Sequence, residues 1–138
     1  MADMNEFNQR VIEEFRANAG KVGGPSAAAS MILLTTKGAK SGRSFTTPLV
    51  YTRDGDRIVI IASKAGAPKN PDWYHNLVAN PVVTVEVGTE KFSARAAVTS
   101  GAERERLFNA QAAMMPVFNE YRQKTTRQIP VFVLERVR

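Results

Sequence analysis

Six short runs rich in β-branched and aromatic residues, 31–36, 46–52, 57–62, 82–87, 91–99 and 129–135, recur along this chain, punctuated by Gly, Pro and Asp. A regular βαβ alternation needs a helix between successive strands, whereas Asp54-Gly55 and Gly88-Thr89 join neighbouring runs directly as hairpin turns. The pattern predicts a mainly β (α+β) fold, a small barrel with flanking helices. With 138 residues and 43% hydrophobic content, the chain supports one such core.

Helical spacing marks the rest. Phe7, Val11, Ile12 and Phe15 predict an amphipathic helix from Asn5 to Ala19, with Asp3 or Asn5 as cap and Gly20 as stop, followed by a Gly-rich linker, Gly20 to Pro25. Residues 1–25 are thus expected as an appended helix and linker, and 26–138 as the barrel domain. Asn70-Pro71-Asp72 reads as a helix start with Asn70 as cap, leading into Trp73, Tyr74, Leu77 and Val78 and ending near Asn80-Pro81. Ser100 and Glu103 have the spacing of a capping box before a helix that runs to Met115, and Val117 to Arg122 predicts a shorter one after Pro116.

Composition excludes several chemistries. The chain has no cysteine, hence no disulfide, thiolate nucleophile or Cys-based metal site, and His75 is its only histidine. No nucleophile elbow surrounds any serine, which disfavours hydrolysis. The acids Asp3, Glu6, Glu13 and Glu14 interrupt the first thirty residues, so no signal peptide or spanning stretch is read, and a cytoplasmic location is expected.

The net charge is +6, and its distribution says more than its size. Between residues 37 and 69 the bases are Lys37, Lys40, Arg43, Arg53, Arg57, Lys64 and Lys69, against only Asp54 and Asp56. Two Gly-containing basic loops, 35–43 and 62–73, combine ammonium, guanidinium and hydroxyl groups with close backbone approach, which suits an anionic cofactor. Aromatic residues are not interleaved with the bases as a nucleic-acid stacking surface requires. An FMN-binding barrel and a non-enzymatic lipid or anion binder are the alternatives, the latter docking on membranes through the helix around Phe7, Val11 and Phe15.

Thr35-Thr36-Lys37-Gly38, Lys40-Ser41-Gly42, Thr47-Pro48-Leu49, Ala62-Ser63-Lys64, the run Lys69 to Leu77, Ala79-Asn80-Pro81 and Arg127-Gln128-Ile129-Pro130, in that order and spacing, resemble the deazaflavin-dependent nitroreductase family over roughly residues 30 to 136. The resemblance implies a split β-barrel of the FMN-binding-barrel type and coenzyme F420, an 8-hydroxy-5-deazaflavin bearing a phosphodiester and a polyglutamate tail. It further implies hydride transfer to small electron acceptors: quinones, nitroaromatics or activated enones. On the family pattern Lys40, Ser41, Gly42, Arg43, Lys64 and Lys69 hold the tail; Pro48, Leu49, Ala62, Ser63, Asp72, Trp73 and Asn76 frame the ring. Met115, Phe118 and Tyr121 then line the substrate wall, with Tyr121 the catalytic candidate. Phe45 stands where relatives often carry a base.

Overall fold

The structure, a computed structural model, describes residues 2–18 and 31–137. The expected linker at 20–25 and the side chain of Phe7 lie outside the described residues. In chain order the elements are α1 (Ala2–Ala17), β1 (Met31–Lys37), β2 (Ser44–Val50), β3 (Thr52–Asp54), β4 (Arg57–Ile61), a 3₁₀ turn (Lys64–Gly66), α2 (Asp72–Ala79), β5 (Val82–Val87), β6 (Glu90–Val98), α3 (Gly101–Met114), α4 (Val117–Lys124) and β7 (Val131–Arg136).

All seven strands form one antiparallel sheet in the order β2-β1-β5-β6-β7-β4-β3. The sequence predicts a single strand over 46–52, yet β2 and β3 are separate pieces at opposite edges, with Tyr51 alone between them. Two edges joined by one residue require the sheet to curl until they meet, and that curl makes the split barrel. Interior positions follow the pleat: Ile32, Leu34, Ile58, Ile60, Val83, Val85, Ala94, Ala96, Phe132 and Leu134 form one buried cluster.

The outer face is covered in two places. Leu107, Phe108 and Ala112 of α3 and Phe118 of α4 pack on Val59, Ile61, Val131 and Val133. Ile12 and Phe15 of α1 close over Leu33, and Val11 is buried with them. Each of these side chains larger than alanine contributes about 1.5–3 kcal/mol through removal from water. α1 therefore packs on the barrel, with Val11, Ile12 and Phe15 turned toward it.

Ser100 occupies the N-cap position of α3, but no side-chain capping bond forms. Glu103 instead accepts from Arg57, whose guanidinium also pairs with Asp54, and Arg106 joins the same carboxylate. Hydrogen bonds from Arg106 and then Arg57 hold the Asp54 carboxyl far below its ordinary value, and Arg16, 2.8 Å from Glu86, lowers that carboxyl likewise. A carboxylate with a depressed folded-state pKa stabilises above its unfolded pKa and loses that contribution as pH falls through the folded value. Thermal scans are expected to give a level melting temperature from pH 7 to about 5 and a decline below about 4. The double variant D54N/E86Q is expected to melt lower at neutral pH and to decline less on acidification.

Candidate functional site

Strand direction places the two basic loops together. β1 and β4 both run toward the end of the barrel at which β5 and β7 begin, since Thr35 pairs with Thr84 and Ile61 with Val131. The turn 38–43 follows β1, and the segment 62–70 follows β4, at that same end. At the other end lie the Asp54–Asp56 hairpin, Glu86, Glu90 and Glu135. Within the segments 37–43, 62–72, 79–82 and 125–131 the only acid is Asp72. The barrel is thus electrically polarised along its axis.

Both loops hang from α2. The helix starts directly after the second loop, and midway along it Asn76 is 9% exposed, accepting the Ala39 N–H through Oδ1 at 3.0 Å and donating through Nδ2 to Thr36 Oγ1 at 3.1 Å. Asn80 Nδ2 also donates to the Lys37 carbonyl. Asn76 and Asn80 follow Asp72 by four and eight residues, so at 1.5 Å rise the first loop is attached about 6 and about 12 Å along the helix from the second. Trp73 and Leu77, on the same buried side of α2 as Asn76, plug the barrel interior, Trp73 lying tilted against Phe132 at 6.0 Å between ring centroids.

The first turn is closed by Gly38 N–H to Arg43 O at 2.7 Å and Gly42 N–H to Gly38 O at 3.1 Å. A Cβ on Gly38 would lie 2.7 Å from Ser41 Oγ and 2.8 Å from the Phe45 ring, so the bare backbone lets both close over it. Among the described residues, the backbone N–H groups of Lys40 and Ser41 meet no acceptor.

The second loop is shaped by Arg127. Its Nε donates to Ala67 O at 2.9 Å, Nη1 to Ala62 O and to Asn70 Oδ1 at 3.1 and 2.8 Å, and Nη2 to Ser63 O at 2.8 Å. Burial pushes the guanidinium pKa below the usual arginine value, and it stays a cation at any working pH. This use of Asn70 corrects the expected cap: Pro71, with extended backbone, takes the N-cap position of α2 while the Asn70 side chain turns back to Arg127.

The loop cations are free of acids. Among the described residues none of Lys37, Lys40, Arg43, Lys64 and Lys69 forms an ion pair, whereas Arg16, Arg57, Arg104, Arg106, Arg122 and Arg136 all do. A groove of about 600 Å³ opens at the opposite mouth, lined by Arg53, Arg57, Phe92, Leu134 and Arg136 with Asp56, Glu90 and Glu135. Acids there match bases in number, and Arg57 and Arg136 are already paired, so the loop end is the better place for a polyanion.

A family model described as F420H(2)-dependent quinone reductase matches residues 8–136. The chain belongs to this family. An F420H(2)-dependent quinone reductase of Mycobacterium tuberculosis, strain H37Rv, is 39% identical over 132 residues, covering 88% of this chain and 85% of the relative. The solved structure of an F420-H2 dependent reductase, FDR-A, matches with a TM-score of 0.71 at 39% identity over 77% of this chain and 94% of that one. A structure described as a domain-swapped dimer matches at 0.73 and 34% identity over 97% of this chain and 98% of its own. The heme-storage protein HutZ of Vibrio cholerae, at 15% identity and 0.62, shares the fold alone.

Membership makes the chain an oxidoreductase that works with reduced coenzyme F420. Among the residues expected to hold that cofactor, Lys40, Ser41, Gly42, Arg43, Lys64, Lys69 and Asp72 are exposed at the loop end. Pro48 and Leu49 lie farther down β2, opposite Leu33 and Ile32, about 13 Å from the first turn at a strand's rise, half-buried, with Leu49 packed toward the interior. Ala62, Ser63, Trp73 and Asn76 are buried. The Asn76 side-chain amide is taken up by the first loop and the Trp73 ring by the barrel. Of the residues expected at the substrate wall, Met115 and Tyr121 are half-buried, while Phe118 is 6% exposed and packs edge-on to Phe108 and Tyr121.

Arg127 and Gly66 are the features that residue patterns did not assign. Gly66, at φ +80°, lies where a Cβ would be 3.0 Å from Tyr121 O and 2.8 Å from Lys124 Cβ, which brings the second loop against α4. A lone arginine in a polar connection carries no sequence signal of its own, although it stands in the Arg127 to Pro130 motif.

Proposed function

We propose that this protein reduces quinone-type acceptors with F420H2, nitroaromatics and activated enones forming the wider acceptor class, and that the cofactor is held at the loop end of the barrel. The observation that carries the reading is the set of acid-free cations there, with the free N–H groups of Lys40 and Ser41. A phosphodiester with several carboxylates uses that many donors, whereas the single phosphate of FMN needs fewer. Bound F420H2 supplies the hydride from C5 of its deazaflavin.

The chain's own residues bind and orient. Lys40, Arg43, Lys64 and Lys69 neutralise the tail, the first turn offers its amides, and Pro48 on the outer face of β2 offers apolar surface to the ring. Asn76 acts on the cofactor through the first loop, whose conformation it sets. Tyr121, on the helix that touches the second loop, orients the acceptor or gives it the proton that a quinone takes up with the hydride. Tyr121→Phe is accordingly expected to lower kcat by about ten-fold while F420 affinity stays within about two-fold. Stopped-flow turnover beside a fluorescence titration checks the split, and an unchanged kcat on every acceptor removes that role.

Mixing protein, F420H2 and menadione tests the activity directly. Reoxidation above the protein-free rate is expected, and none across a panel of quinones, nitroaromatics and enones contradicts it. Membrane docking through α1 is not part of this reading, because Val11, Ile12 and Phe15 already cover the barrel. In liposome sedimentation the protein is expected to stay in the supernatant; co-sedimentation with neutral vesicles would show that α1 leaves the barrel.

A further inference from the structure

The geometry points to Arg127 as the positioning residue of the second loop: it gathers that loop's carbonyls on one side and so turns the Ser63 and Lys64 amides, with the Lys64 ammonium, toward an anion. The inference rests on the reading of this loop as a holder of the cofactor's anionic tail.

In a trans peptide the C=O and the following N–H point in opposite directions. The carbonyls of Ala62 and Ser63 both accept from Nη atoms of Arg127. The next N–H groups, those of Ser63 and Lys64, must therefore face away from the guanidinium, and neither meets an acceptor among the described residues. The third carbonyl, Ala67 O, fixes the far side of the 3₁₀ turn, and Asn70 Oδ1 fixes the exit into α2.

Lys64 shows that the loop is held against its own preference. It is the one non-glycine with positive φ among the described residues, at 47°. A lysine resists that conformation unless its surroundings determine it. The four bonds of Arg127 supply the determination, and a planar fork is needed to reach carbonyls on both sides of the turn. Arg127 does not itself face the ligand, since its donors are directed at the loop. The Arg127 N–H also donates to Thr125 Oγ1 at 3.3 Å, just beyond α4, so the same residue ties the loop to the end of the helix that carries Tyr121.

A double-mutant cycle separates positioning from direct binding. F420 is titrated by fluorescence into the wild type, R127A, R127K, K64A and R127A/K64A. Each single alanine variant is expected to raise Kd about ten-fold, and the double variant no more than about two-fold beyond either, because Lys64 is useful only where Arg127 aims it. R127K, which keeps the charge and loses the fork, is expected to bind within about three-fold of R127A. A hundred-fold loss in the double variant, or recovery by R127K, would overturn the inference. Should R127A fail to fold, R127K and R127K/K64A complete the same cycle.

Hydrogen exchange in the free protein gives a readout without cofactor. The Gly66 and Ala67 amides, bonded to Ser63 O and Lys64 O, are expected to exchange faster in R127K while Val59 and Ile60 keep their protection. Unchanged protection at Gly66 and Ala67 contradicts the inference, as does uniform acceleration, which marks a merely structural residue. A wild type that binds no F420 removes the cofactor reading instead, and the exchange result still reports whether Arg127 sets the loop.

Discussion

Alanine at both Lys40 and Lys64 is expected to weaken F420 binding by about a hundred-fold at low salt. A well-placed charge-assisted hydrogen bond contributes about 1.5–3 kcal/mol, and exposure to solvent screens each of these toward the lower figure, so two removals correspond to a factor of that order. The two lysines stand on different loops, one tied to Asn76 midway along α2 and the other leading into its start, which makes their losses close to additive. Salt discriminates this from a packing effect. Screening shortens the reach of the cations, so the gap between wild type and variant is expected to narrow to about ten-fold near 0.5 M salt. A gap that ignores salt would mean that the lysines act by shaping the loops and not by their charge.

Gly66→Ala is expected to cost about 2–4 kcal/mol of stability and most of the turnover. Two causes add. The backbone at φ +80° disfavours any L side chain by about 1–2 kcal/mol, and the new methyl would sit 3.0 Å from Tyr121 O, a backbone atom that moves only if α4 moves. Pushing α4 outward also displaces Tyr121 relative to the cofactor loop, so kcat falls even in the fraction that folds. Denaturant melts at constant m-value measure the first effect and single-turnover kinetics the second. A Gly66→Ala protein as stable and as active as the wild type would show that the loop and α4 are not in fixed contact.

The strands and helices were legible because their periodicity is local. Leu33 and Leu34 on opposite faces of β1, or Val11 and Phe15 on one face of α1, announce themselves through spacing alone. The barrel's closure was not legible in the same way, for the break at Tyr51 turns on which edge each half of the strand finds, a long-range matter. Capping bonds expected from the sequence gave way where a distant arginine offered a better partner: Asn70 turned to Arg127, leaving Pro71 at the cap of α2, and Glu103 turned to Arg57 although Ser100 keeps the cap position of α3. At the site, exposed loop cations were recognisable from composition and order, because free charge needs no tertiary partner to be seen. Ala62, Trp73 and Asn76 stand in the motifs that carry the family resemblance, yet their side chains are buried, Trp73 in the barrel and Asn76 beneath the first loop, and only the packing of α2 against the barrel reveals this. Arg127 acts through carbonyls, which every residue has, so no side-chain pattern marks its targets.

A crystal structure of the complex with F420 decides where the anionic tail lies. Density for the phosphodiester and glutamate carboxylates is expected within hydrogen-bonding distance of Lys40, Arg43 and Lys64, between the turn after β1 and the loop after β4. Density for those anions at the opposite mouth, among Arg53, Arg57 and Arg136, with the loop lysines left in solvent, would contradict it.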